Sequence, residues 1–174
     1  MKKVTKIAML VLIAGLLSTV GCTKEGKQGV AGVNGKNGNA NVQTTILVAN
    51  NASNWMWNSG GSWRQASWSG INQLSFTNIS SGAVMLYQED GGGGYLPLPV
   101  TIKYNGKIES NWFTFGTGSL TVVVQNTDNS DPIANIPLPA RYKLVVIPSA
   151  ARRANPEVDL MNYQEVKSFY QLKD

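Results

Sequence analysis

The sequence predicts an all-β fold, a single β-sandwich-like domain of about eight short antiparallel strands that ends in one short helix. From Val42 onward, short runs of β-branched and aromatic residues alternate with clusters of Gly, Asn, Pro and Ser, at intervals of roughly ten residues. Only 14% of the 174 residues are charged, against about 25% in typical domains, which argues against long solvated helices and coiled coils. The length fits about one domain.

Residues 1–21 are predicted to be a lipoprotein signal peptide. A basic start leads into Ile7–Leu17, an uncharged apolar run that is too short for the ~20 residues of a membrane span but typical of a signal peptide. The small residue Gly21 then stands directly before Cys22, the only cysteine. This arrangement resembles a bacterial lipobox, although Thr19 holds the place where that motif usually has Leu.

Cys22 is therefore the predicted lipidation site. In a lipobox the cysteine carries lipid on its sulfur and on its new amine, and two or more acyl chains hold a protein stably in a membrane. We expect this lipid to be the membrane partner, and the location to be the bacterial envelope, in the outer membrane, facing the periplasm or outward. The alternatives are a secreted protein with a free cysteine and an uncleaved N-terminal helix.

Residues 22–41 form the predicted linker, which joins the lipidated cysteine to the β domain of residues 42–174. Five glycines follow each other at every third position, from Gly26 to Gly38. This is the pattern of collagen, whose crowded axis accepts only Gly. The triplets contain no Pro and are few, so a flexible arm that reaches roughly 40 Å is favoured over assembly into a trimer.

The domain contains eight candidate strands, each rich in β-branched or aromatic residues. They are Val42–Ala49, Gly61–Trp68, Ile71–Phe76, Ala83–Gln88, Val100–Tyr104, Lys107–Phe115, Ser119–Gln125 and Arg141–Ile147.

Turn residues and apolar runs organise these strands. Asn105-Gly106 predicts a two-residue hairpin, because both residues tolerate positive φ. Gly116–Gly118 predicts a second hairpin. The continuous apolar run Leu144–Ile147 is typical of a central strand that is covered on both faces.

One terminal helix is predicted over Tyr163–Gln171. Asn162 and Glu165 have the spacing of a capping box, in which each side chain bonds the other residue's backbone N–H. Apolar residues then recur at helical spacing on one face, which predicts that the helix packs onto the sheet.

The order of these features along the whole chain resembles that of uncharacterised Bacteroidetes lipoproteins with a short collagen-like spacer and a C-terminal β domain. The segments that carry the resemblance, besides the lipobox and the Gly triplets, are 39–42, 82–87, 96–99, 142–147 and 158–166. The resemblance implies placement in the outer membrane. It implies no activity and no site residues.

The candidate ligand site is a tryptophan-rich segment that holds four of the five Trp residues: Trp55, Trp57, Trp63 and Trp68. Exposed indole rings stack on the apolar C–H faces of sugars, so this segment predicts carbohydrate binding as an alternative function. The competing interpretation is that these side chains fill the core. Trp55 and Trp57 share a strand face by period two, so we expect both to be buried or both exposed.

Acidic pairs offer a second candidate chemistry. Glu89 and Asp90 precede four glycines, and Asp128 and Asp131 lie in a polar loop, so each pair has oxygen ligands for Ca²⁺. Neither pair has the Glu and Gly spacing of an EF-hand, which favours ordinary turn residues. We expect no metal and no cofactor.

Catalysis is not expected. The chain has no His for a catalytic triad, and its one Cys is assigned to lipid. A hydrolase that uses two carboxylates stays a minor alternative, with candidates Glu89, Asp90, Glu109 and Asp128. Removing three signal-peptide lysines from the 15 basic residues leaves 12 against 10 acidic ones, without a basic cluster for nucleic acid. The expected function is a non-catalytic binding or structural component of the envelope, with a glycan or an envelope protein as partner.

Overall fold

The structure, a computed structural model, describes residues 41–104 and 106–173. Nine strands form two antiparallel sheets that pack face to face, which confirms the predicted all-β, sandwich-like fold. The predicted signal peptide, the lipidation site Cys22 and the Gly-x-x linker up to residue 40 lie outside the described residues.

The two sheets differ in size and order. One has four strands in the order β1-β9-β4-β5, and the other has five in the order β2-β3-β8-β7-β6. The strands are β1 (Gln43–Ala49), β2 (Met56–Asn58), β3 (Trp63–Ser69), β4 (Ala83–Glu89), β5 (Tyr95–Pro97), β6 (Val100–Tyr104), β7 (Lys107–Gly116), β8 (Ser119–Asn126) and β9 (Ala140–Ile147). The helices are α1 (Phe76–Ile79), α2 (Ser149–Ala154) and α3 (Tyr163–Tyr170), and short 3-10 turns span Ala52–Asn54 and Pro132–Ala134.

The main core lies between the sheets. Strand residues alternate between two faces, so every second side chain of β8 and of β9 points into this space. The fully buried side chains Val122 and Val124 come from the five-stranded sheet, and Leu144 and Val146 come from the four-stranded one.

A second apolar cluster covers the other face of the four-stranded sheet. Val145 and Ile147 of β9 pack there against Ala151 of α2 and against Val166 and Tyr170 of α3. Strand β9 is therefore buried on both faces, as its continuous apolar run predicts. Within residues 41–104 and 106–173, no helix has the length and apolarity to cross a membrane.

The predicted hairpins are present. Tyr104 pairs with Lys107 and Gly116 pairs with Ser119, so two residues connect each pair of strands. Gly106 and Gly118 adopt φ values of 80° and 69°, which glycine reaches without a Cβ clash. Asn105 lies outside the described residues.

Helix α3 begins where predicted, but its cap differs in one contact. The Asn162 side chain accepts hydrogen bonds from the backbone N–H groups of Gln164 and Glu165. Glu165 accepts from the N–H of Asp159, 2.9 Å away, where a capping box would use that of Asn162. The carboxylate therefore ties the preceding loop to the helix.

The prediction of a strand at Ile71–Phe76 is wrong. Ile71 and Leu74 are buried in the core, but a turn places them there, closed by a bond from the Leu74 N–H to the Ile71 carbonyl. Ser75 then caps α1 by accepting from the Asn78 N–H. Apolar residues three apart satisfy the core through this turn as well as a strand would.

Four short elements were not predicted, the edge strands β2 and β5 and the helices α1 and α2. Strands β2 and β5 have only three residues each, so no alternation can develop within them. Helix α2 has six residues, too few to show a helical repeat.

Gly82 provides a sharp test of the packing between α1 and β9. A Cβ at this position would lie 2.4 Å from the Asn78 carbonyl oxygen and 2.5 Å from that of Ile147. Both contacts are to backbone, so neither can move away as a side chain would. We expect Gly82→Ala to lower the free energy of unfolding by about 1–2 kcal/mol in urea denaturation. Gly60→Ala is the control, because its nearest contact is 3.5 Å away. Equal losses in both variants would contradict the prediction.

Candidate functional site

The four predicted tryptophans lie in different surroundings. Trp55 is only 2% exposed and belongs to the main core. Trp68 is half-buried against the same core, where its ring meets Tyr142 edge-on at 5.8 Å and its Nε1 donates to the Val48 carbonyl at 3.3 Å. Neither of these two indoles forms a platform.

The expectation that Trp55 and Trp57 share one environment is wrong. Trp57 is 38% exposed, whereas Trp55 is buried. Trp55 ends the short turn that precedes β2 and donates its N–H to the Ala52 carbonyl, so the strand begins only at Met56. The period of two therefore does not extend back to Trp55.

Trp57 is held at the sheet edge by a fixed cation. The Arg64 guanidinium lies 5.5 Å from the centre of the Trp57 ring. It also donates to both carboxylate oxygens of Asp131, at 2.9 and 2.6 Å, and to the Trp55 carbonyl at 2.8 Å. The hydrogen bond from Arg64 lowers the pKa of Asp131, so the pair stays charged at neutral pH.

A shallow groove opens beside Trp57. It has a volume of about 250 Å³, and its lining is uncharged. Met56 is 65% exposed at its rim. The groove is lined by Met56, Trp57, Asn58, Ser59 and Gln65.

Trp63 belongs to the outer face of the five-stranded sheet, the face turned away from the core. Its neighbours on β3, Arg64 and Ala66, occupy the opposite face. Sequence reasoning missed a second tryptophan on this outer face, Trp112 of β7. Trp112 pairs with Val123, which in turn pairs with Gln65 of β3. Both Trp63 and Trp112 are half-buried.

The first predicted acidic pair serves the hairpin between β4 and β5. The carboxylate of Asp90 accepts from the N–H groups of Gly92 and Gly94, each at 2.9 Å, and so closes the glycine loop. Glu89 forms an ion pair with Arg141 at 2.8 Å. The side chains of Glu89 and Arg141 line a cavity of about 280 Å³ beside helix α3.

The second acidic pair serves the loop after β8. Asp128 accepts from the hydroxyl and the backbone N–H of Ser130 and lies 3.2 Å from the Lys107 ammonium. These contacts, the Ser130 hydroxyl first, lower the pKa of Asp128 to about 2. Asp131 bonds Arg64, as described above. In the part of the chain that the structure describes, no three acidic or thiol side chains gather as a metal site.

Glu109 is the most unusual carboxyl group. It is 2% exposed and lies between the sheets, where Oε1 accepts from the Asn111 amide at 3.1 Å. Among the described residues, Oε2 has no hydrogen-bond partner. Burial raises the pKa of Glu109, and the Asn111 bond offsets only part of this effect. The contact that holds this buried acid is an amide and not a second carboxylate. It therefore does not form the carboxylate pair of a glycosidase.

Comparison with known proteins identifies no matching family, no matching curated protein and no matching solved structure.

Proposed function

We propose that the chain is a lipid-anchored protein of the bacterial envelope whose β domain is a non-catalytic binding component. The anchor rests on Cys22, which follows Gly21 at the end of an apolar run. In the outer membrane, the domain faces the periplasm or the exterior. The resemblance to Bacteroidetes lipoproteins with a collagen-like spacer supports the same placement.

One structural observation supports binding as the role of the domain. Helices α2 and α3 pack against the four-stranded sheet, whereas half-buried tryptophans and the exposed Met56 lie on the outer face of the five-stranded one. An apolar surface that is surrounded by polar side chains supports an interaction site. The exposed acidic pairs favour a non-catalytic role, because ion pairs and turn contacts engage Glu89, Asp90, Asp128 and Asp131.

A carbohydrate is the ligand class that this surface favours, and an envelope protein is the alternative partner. Trp63 is the member of the predicted segment that lies on this surface, because Trp55 and Trp68 are part of the core and Trp57 is engaged by the Arg64 cation. Indole rings offer flat apolar faces to sugar rings, and the amides and hydroxyls nearby can bond their hydroxyl groups.

The anchor has a direct test. We expect the chain to take up a palmitate analogue in growing bacterial cells, and we expect Cys22→Ala to abolish this labelling, because the thiol is the acceptor of the first lipid. The purified wild-type chain should also enter the detergent phase of a two-phase separation. A Ser18→Ala variant serves as a control for changes in the signal segment. Undiminished label in Cys22→Ala would overturn the proposal.

A further inference from the structure

We propose that the outer face of the five-stranded sheet binds an uncharged polysaccharide chain, which lies across Trp63 and Trp112. The inference rests on the proposed binding function and names its ligand class. The site lies on a surface to which β7 contributes Trp112, and so extends beyond the predicted tryptophan segment.

The outer face carries no charge across four neighbouring strands. The face comprises alternate residues of β2, β3, β8 and β7, and all of them are uncharged. These residues are Met56, Asn58, Trp63, Gln65, Ser67, Ser110, Trp112, Thr114, Thr121, Val123 and Gln125. Counting outward across the same face from β7, the next strand is the edge strand β6, where Lys103 pairs with Ile108 and contributes a charge. A ligand with carboxylates or amines would lose hydration here without gaining a counter-charge, whereas a neutral polymer loses nothing of that kind.

The spacing of the two indoles suits an extended ligand. Strands β3 and β7 both neighbour β8, so Trp63 and Trp112 are two strand spacings apart, roughly 10 Å. Trp63 also lies two residues before Gln65, which shares a row with Trp112 through Val123. The diagonal between their backbone positions is therefore ~12 Å, a distance that suits separate sugar rings of one extended chain.

Trp63 is also held in place before any ligand arrives. Its ring packs directly on Gly61, where a Cβ would lie 1.7 Å from a ring carbon. The Gln125 side chain donates to the Gly61 carbonyl at 2.9 Å and so fixes that loop to the sheet. A ring that is already packed in one position loses little conformational entropy on binding.

Polar groups between the rings match hydroxyl-rich ligands. Gln65 and Gln125 carry side-chain amides, which both donate and accept hydrogen bonds. Ser67 and Thr121 bond each other at 2.8 Å, so their hydroxyls form a polar margin beside the row of Trp112. Trp57, by contrast, is engaged by the Arg64 cation and lies on the other side of the edge strand.

Binding to insoluble neutral polysaccharides tests the proposal, with cellulose, xylan and mannan as probes and the purified chain in detergent. We expect at least one of them to bind. Trp63→Ala and Trp112→Ala should each weaken this binding at least about tenfold, whereas Trp57→Ala should change it by less than about twofold. Gly61→Ala, which keeps every indole but displaces the Trp63 ring, should weaken binding as well. Alginate and chitosan, which are charged, should not bind.

A measurement on the wild-type chain guards against variants that fold poorly. The 5 tryptophans give separate indole N–H signals in NMR spectra. Soluble oligosaccharides of the bound polymer should move the signals of Trp63 and Trp112 and leave those of Trp55 and Trp68 in place.

Several results would overturn the inference. Absence of binding to all three neutral polymers would do so, while Cys22-dependent lipid labelling would still support the anchored protein. Binding that depends on Trp57 alone would place the carbohydrate at the groove instead. Tight binding to alginate or chitosan would contradict the choice of an uncharged ligand.

Discussion

Replacement of Trp55 by alanine should lower the free energy of unfolding by about 3–5 kcal/mol, the largest loss expected for any single tryptophan. The indole fills the end of the main core, where it is 2% exposed. Truncation removes a large apolar group and leaves a cavity between strands that cannot easily close. Small domains have a total stability of the order of 5–15 kcal/mol, so this loss is a large fraction of it.

Equilibrium denaturation in urea, followed by circular dichroism, measures this loss. Trp57→Ala is the matched control, because Trp57 is 38% exposed and its main contact is the Arg64 cation. That contact contributes about 0.5–1 kcal/mol, so the control should stay near the wild type. If both variants lost the same stability, the assignment of Trp55 to the core would be wrong.

Glu109→Gln should stabilise the protein by about 2–3 kcal/mol at neutral pH, in contrast to most core substitutions. The buried carboxylate has one oxygen without a partner among the described residues, and so does the neighbouring Asn111, whose Oδ1 also accepts nothing. Glutamine keeps the acceptor that receives the Asn111 amide and replaces the charged oxygen by a neutral donor group.

The gain should depend on pH in a definite direction. Burial raises the pKa of Glu109 in the folded chain above its ordinary value of 4.5. The folded state therefore keeps a proton that the unfolded state releases, and wild-type stability falls as pH rises from about 4.5 through the folded pKa. The advantage of glutamine should grow across that interval, stay constant above it, and be smallest below pH 4.

Urea denaturation at a series of pH values measures this dependence. Glu157→Gln is the matched control, because Glu157 is exposed in the loop before α3. Its stability should follow the wild type at every pH. A Glu109→Gln variant that is less stable than the wild type at pH 7 would show that the carboxylate is compensated in solution.

The strands that sequence reasoning identified share one physical property, a run of β-branched or aromatic residues long enough to cross the sandwich. The run Leu144–Ile147 correctly predicted a strand that is buried on both faces, because both faces of β9 are apolar. Ile71 and Leu74 were wrongly predicted to lie in a strand because they are also apolar and buried. Burial alone does not distinguish a turn from a strand. The edge strands β2 and β5 were not predicted, because three residues contain too little pattern.

The candidate site was predicted only in part because a sequence cluster is not a spatial cluster. Trp55, Trp63 and Trp68 are neighbours in sequence, yet Trp55 and Trp68 join the core and Trp63 lies on the opposite face of the sheet. Trp112 joins Trp63 only through the register of β7 and β8, which no local pattern specifies. The burial of Glu109 depends likewise on the packing of two sheets.

Strand β1 has one neighbour in its sheet, β9, and Gln43 finds its partner at Val146. A chain that emerges from a ribosome or a translocation pore with its N-terminus first therefore has no partner for Thr44–Val48 until β9 has appeared. Such late closure slows folding and leaves an apolar, aggregation-prone segment in the open. The first strand of this sandwich can therefore take its place only after the last strand has been made.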